Sequence, residues 1–212
     1  AVGDQDFYRI EFPKNSPPQN VRVEVTAIPR MNIEIKLFSA SGGAAMALAD
    51  ENGPGGREIL CRQQLPPEGA LILVRERPLP DSAPTENVSD DYTITATLSA
   101  ISPGEEVEPN NAAANANPLT PASWVTGTIC GGSDEDWFRI DATPLVGKTV
   151  RAEFEPKAGA EKATVGFYSE DLAFLGEKRD HPIVRPGTIY VVVRGNKGTA
   201  FEAEYRLRLM IK

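Results

Sequence analysis

Oxygen-bearing side chains crowd one stretch of the chain, Glu106 to Ile140. Glu106, Glu108, Asn110 and Asn111 stand before an apolar run, Trp124 to Ile129, and Asp134, Glu135 and Asp136 stand just after it. A turn or two that folds the clusters together would gather oxygen donors of the kind a hard cation prefers, since calcium takes six to eight oxygens. Turn capping by Asn and Asp, on a stiff Glu-Pro-Asn linker, is the plainer use of the same residues.

The end of this stretch occurs twice. Asp4-Gln5-Asp6-Phe7-Tyr8-Arg9-Ile10 matches Asp134-Glu135-Asp136-Trp137-Phe138-Arg139-Ile140 at an offset of 130. Asp6 to Phe38 and Asp136 to Tyr168 both span 32 residues. Beyond those landmarks copy one is longer, with insertions in the Gly/Ala-rich Ser41 to Gly56 and the Pro/Asp/Ser-rich Pro78 to Asp91, where loops tolerate length. The spacing predicts two tandem domains, residues 1–101 and 102–212. A chain of 212 residues suits two units of about 100 residues each.

Both copies read as β. Val21 to Val25 and Ile33 to Leu37 alternate apolar with charged residues, the pattern of half-buried strands. Ile59 to Cys61 and Leu71 to Val74 are continuously apolar, as expected of strands near the middle of a sandwich. Tyr92 to Leu98 closes copy one. Copy two adds a strand at Trp124 to Ile129, then repeats the series through Glu204 to Ile211. With eighteen Gly and eighteen Pro, the expected class is all-β, two antiparallel sandwiches, with one helical turn in Ser41 to Ala49.

A net charge of −8 argues against nucleic acid, which demands clustered Lys and Arg. No apolar run of about 18 residues crosses a bilayer. The chain opens on Ala1-Val2-Gly3-Asp4 with no leader in view, and we expect upstream sequence to have been removed by processing or truncation. Cys61 and Cys130 occupy non-equivalent positions, so they are not one repeated bridge. Two separate buried thiols are expected in preference to an interdomain disulfide.

Glu106-Val107-Glu108-Pro109-Asn110-Asn111, Val125-Thr126-Gly127-Thr128-Ile129, Asp134-Glu135-Asp136-Trp137-Phe138, Gly187-Thr188-Ile189-Tyr190 and Tyr205-Arg206-Leu207 together resemble the bacterial pre-peptidase C-terminal domain. That family is a jelly-roll-like β-sandwich carried by secreted proteases, collagenases and surface proteins. The resemblance covers copy two almost whole. Copy one joins it from Asp4 onward, lacking the Glu-Pro-Asn segment and the first strand. The resemblance implies calcium as cofactor, with Glu106, Glu108, Asn110, Asn111, Asp134 and Asp136 as ligands. It also implies an extracellular, periplasmic or cell-surface setting, and a protein, polysaccharide or attached enzyme domain as partner.

Catalysis lacks an assembled set of roles. His181, the only histidine, precedes Pro182 beside Glu177 to Asp180 and is expected at the surface; no nucleophile elbow or metal-spaced His/Cys set accompanies it. Trp124, Trp137, Tyr168 and Tyr190 are the aromatic candidates for a binding face, with core packing the expected use of Trp137-Phe138. The leading expectation is a non-catalytic module pair for adhesion, substrate binding or support of an attached enzyme. The alternative is a stand-alone hydrolase with its site in the two copy-one insertions, which offer Asp50, Glu51, Asp81, Glu86, Asp90 and Asp91 but no His or Cys.

Overall fold

The computed structural model describes residues 3–13, 15–85, 87, 89–177 and 179–212. The chain forms two compact units, Ala1–Ile101 and Ser102–Lys212. Counted over the described residues of both units, unit 1 has seven strands: β1 (Gln5–Ile10), β2 (Gln19–Val25), β3 (Ile33–Ser39), β4 (Ala47–Ala49), β5 (Glu58–Gln64), β6 (Ala70–Glu76) and β7 (Ile94–Ala100). Unit 2 has nine: β8 (Asn117–Pro118), β9 (Trp124–Cys130), β10 (Glu135–Asp141), β11 (Thr149–Pro156), β12 (Thr164–Ser169), β13 (Phe174–Gly176), β14 (Asp180–Pro182), β15 (Thr188–Arg194) and β16 (Phe201–Ile211). The only helical pieces among the described residues are two single 3-10 turns, Ala113–Asn115 and Thr143–Leu145.

The sheets of unit 1 run β1-β6-β3-β4 and β5-β2-β7; those of unit 2 run β8-β10-β15-β12-β13 and β9-β16-β11-β14. Matched through β1 and β10, the strand orders are the same, and unit 2 adds one strand to the edge of each sheet. All strand pairs are antiparallel except the two-residue β8 on β10. Register fixes the equivalences. Val25 faces Ile94 as Phe154 faces Leu207, so Tyr92 corresponds to Tyr205; Asp6 faces Val74 as Asp136 faces Val193.

Alternation along the strands produces the cores. Val21, Val23 and Val25 of β2 pack against Ile35 and Leu37 of β3 and Ile72 and Val74 of β6. Phe138, Val150, Phe167, Val191, Tyr205 and Leu207 do the same in unit 2. Each such side chain taken fully from water contributes roughly 1.5–3 kcal/mol against the entropy of ordering the chain.

Three sequence expectations are corrected. Ser41 to Ala49 holds no helical turn: Gly42 and Gly43 sit at positive φ, and the segment ends as β4 on β3. Ile59 to Cys61 lies in β5, which ends its sheet, whereas β6 is central as its apolar run suggested. Neither cysteine is a free thiol; Cys61 and Cys130 are both disulfide-bonded.

Candidate metal centre

Residues 105–111 form an extended segment laid between β9 and β10. Its backbone is tied on both sides. Glu106 N donates to Thr126 O at 3.0 Å, and Thr126 N donates to Gly104 O at 2.8 Å. The Asn117 amide imitates a strand neighbour, its Oδ1 accepting from Val107 N at 2.6 Å and its Nδ2 donating to Val107 O at 2.9 Å. On the β10 side, Trp137 N donates to Asn110 O at 3.0 Å. In an extended segment residues i, i+2 and i+4 share a face. Glu106, Glu108 and Asn110 therefore all turn inward, and all are buried.

They meet Asp136 of β10, fully buried on the face that also carries Phe138 and Ile140. Glu106, Glu108 and Asp136 each bring a carboxylate oxygen within 4.8 Å of the others. Glu106 Oε1 accepts from Thr128 N at 2.5 Å, and Glu108 Oε2 accepts from Asn110 N at 2.7 Å. The Tyr205 hydroxyl lies 3.0 Å from Glu106 Oε2 and 2.7 Å from Asp136 Oδ2. It has one proton for two acceptors. Asn110 Nδ2 reaches Glu106 Oε2 at 3.3 Å, and in that orientation its Oδ1 faces only acceptors; turned over, the amide donates to Glu108 Oε2 at 3.1 Å and Asp136 Oδ1 at 3.2 Å.

Gly127 makes this meeting sterically feasible. A Cβ there would stand 2.2 Å from the Tyr205 ring and hydroxyl, so any other residue in this β9 position would push the phenol off the carboxylates.

The electrostatics are unfavourable as they stand. Burial first, then repulsion from Asp134, pushes Glu106 up to about 8 against backbone help from Thr128. Burial and the charges of Glu106 and Asp134 raise Glu108 well above the carboxylate range, and Asp136 rises for the same reasons. The charges that weigh most on the three are all negative. Tyr205 is raised by burial and the adjoining carboxylates, so it remains a donor. Such a set is stable as a protonated cluster or around a cation, and its donors, oxygen only and mostly anionic, fit a hard divalent ion.

Asp134 and Asn111 stand beside the triad. Asp134 Oδ2 accepts from Cys130 N at 2.7 Å, closing the β9–β10 turn, while its Oδ1 accepts from Asn111 Nδ2 at 3.0 Å. Tyr205, Gly127 and Asn117 were missed as site residues by sequence reasoning. Tyr205 read only as an inward residue of the closing strand.

The remaining candidates fall elsewhere. Trp137 lies on the opposite face of β10 from Phe138, under the Ala113–Asn115 turn, with Tyr168 and Tyr190 at ring distances of 5.2 and 5.6 Å. Trp124 is covered by the guanidinium groups of Arg206 and Arg208. His181, expected at the surface, is half-buried in β14 and stacks on Phe167 at 5.3 Å, its pKa lowered by burial. In the copy-one insertions, Asp50 accepts from Asn32 and pairs with Arg77, whereas Asp90 and Asp91 line a cleft with Asp4 and Asp6. Glu86 and Lys178 lie outside the described residues.

Fold and site thus define a two-unit, all-β protein with a buried acidic centre in its second unit. The chain matches no known family model and no curated protein. No helix among the described residues is long and apolar enough to cross a membrane.

Proposed function

We propose that the chain is a non-catalytic pair of jelly-roll-like binding modules, of the kind found on secreted or cell-surface bacterial proteins, whose second unit is completed by calcium. The observation that carries this reading is the convergence of Glu106, Glu108 and Asp136 oxygens within 4.8 Å inside a folded core, under charges that are predominantly negative. Oxygens sharing a calcium at its usual ligand distances sit roughly 3–5 Å apart, so little rearrangement is required. Glu106, Glu108 and Asp136 would supply the charge and Asn110 a neutral oxygen, with Asn111 and Asp134 bracing the turn or adding a donor. Magnesium suits the set less, because it keeps several waters and insists on octahedral geometry. The ion would staple the 105–111 segment to β10 and β16, giving a stiff unit to present a protein or polysaccharide ligand or to hold an attached enzyme domain.

Isothermal titration of the full chain with calcium, in two buffers of different ionisation heat, tests this. We expect one site per chain and release of protons at pH 7, since raised carboxyls must ionise to bind. Glu108→Gln should remove the heat. Absence of saturable binding in the wild-type chain would defeat the calcium reading. Turnover of casein, gelatin or polysaccharide that one carboxylate substitution abolishes would defeat the non-catalytic one.

A further inference from the structure

One flank of unit 2 is less completely closed than its counterpart in unit 1, and the cause lies within the chain. Among the described residues β13 ends one sheet and β14 the other. In unit 1 the corresponding edge is β5, seven residues long, with Glu58 to Cys61 all buried. β14 stands in its place with three residues, none of them fully buried. The copies differ in length over this region, since Phe38 to Val74 spans 36 residues and Tyr168 to Val193 only 25.

The flank carries a hole and a knob. The hole is a pocket of about 210 Å³ lined by buried Ser169 and Ile189 and by half-buried His181, with Leu175 and Val184 among its apolar walls. That is below the roughly 300–1,000 Å³ of a small-molecule site and suits a single side chain. The knob is Val184 itself, 80% exposed and the most exposed large apolar residue among those described. Leu172 and Leu175, from the hairpin joining β12 to β13, add exposed apolar surface. Charge is distributed in the same two-sided way, because Glu170, Asp171 and Arg185 all line the pocket. Arg185 Nη2 lies 3.7 Å from Asp171 Oδ2 with both side chains mostly exposed, so water screens the pair and exchanging it costs little. Glu170 accepts a long bond of 3.4 Å from Thr188 N, and no cation pairs with it among the described residues.

We infer that this flank is the interface of a twofold homodimer, in which Val184 of each copy enters the pocket of the other and Arg185 meets the partner's Glu170. A twofold contact uses one patch on both copies, so that patch must hold both halves of every interaction. Residues 169–189 do so: an apolar projection beside an apolar hole, and a cation beside carboxylates. An unrelated partner would require only one half of each. The same contact covers the free edges of β13 and β14, which otherwise stay open to strand addition. Neither calcium nor the binding-module reading enters this inference.

Sedimentation velocity of the full chain over a concentration series tests it. We expect a monomer–dimer equilibrium, weakened at least about tenfold by Val184→Asp. Glu170→Arg and Arg185→Glu should each weaken it as well, since either change places like charges across the interface. Mixed in equal amounts, these two variants should associate again, because a dimer with one of each holds two opposite-charge pairs; native mass spectrometry should show that mixed species. All three positions are exposed, and an unchanged melting temperature confirms that each variant is folded. A wild-type chain that stays monomeric would overturn the inference and leave the patch to a different partner. So would a dimer indifferent to Val184→Asp, or a mixture that associates no better than either variant alone.

Discussion

One buried carboxylate of unit 1 and the acidic centre of unit 2 are held in opposite ways. In unit 1, Glu34 of β3 is 2% exposed, yet Arg75 Nε lies 2.6 Å and Lys36 Nζ 3.1 Å from its Oε1. Burial alone would raise Glu34, but those hydrogen bonds outweigh it and hold the group below its ordinary value. In unit 2, Glu106, Glu108 and Asp136 have carboxylates, an amide and a phenol for company, and all three are raised. A buried charge is tolerated only when paired. Glu34 carries its counter-charges in the sequence, whereas Glu58 of β5, also buried, is raised by burial and held by the Glu51 and Asn52 N–H groups; on our proposal the unit 2 centre takes its counter-charge from solution.

That difference has a pH signature, the largest effect we expect. A carboxyl raised in the folded state stabilises the fold fully below its unfolded value, 4.5 for Glu106, and loses that contribution as pH climbs to about 8. In EDTA, unit 2 should therefore weaken by on the order of 5 kcal/mol across that window, at about 1.4 kcal/mol per pH unit for one proton. Both tryptophans belong to unit 2, so denaturation followed by tryptophan fluorescence reads this unit alone. Calcium should flatten the slope. A metal-free stability that rises from pH 5 to 8 would remove the contrast.

Next in size is Gly127→Ala. The added methyl meets the Tyr205 ring at 2.2 Å, and we expect a loss of about 3 kcal/mol by the same fluorescence readout. The smallest effect compares the two phenols. Tyr205→Phe takes a donor from two buried carboxylates and should cost about 2 kcal/mol, whereas Tyr92→Phe, beside an open cleft, should cost about 0.5 kcal/mol. Equal costs, read by chemical denaturation of the full chain, would mean that the cleft and the buried centre are one environment.

Much of this was legible in the residues. Alternation in Val21 to Val25 and the offset of 130 were enough for strands, sheets and a duplicated order, because period two dictates which side chains turn inward. Glu106, Glu108 and Asn110, two apart in an extended stretch, needed nothing further to share a face. Tyr205 was not legible as a site residue, since it lies 99 residues from Glu106 and meets it only when the sandwich closes. Gly127 was visible as part of a motif, but the reason for its missing Cβ is the Tyr205 ring, a tertiary fact. Asp134 read as a ligand from its motif; that its oxygens accept from the Cys130 and Asn111 N–H groups in the turn is a tertiary fact. His181 misled because a charged neighbourhood in sequence says little about the face that rests on Phe167.

Hydrogen exchange of the full chain at pH 7.5, in EDTA and in millimolar calcium, tests the central claim most directly, since it reads both units in one sample. Our account predicts slower exchange in residues 105–111, β9, β10 and β16 with calcium, and no change in β1 or β7. Magnesium at the same concentration should do less. Unaltered protection around Glu106 and Asp136, or an equal gain in both units, would contradict it.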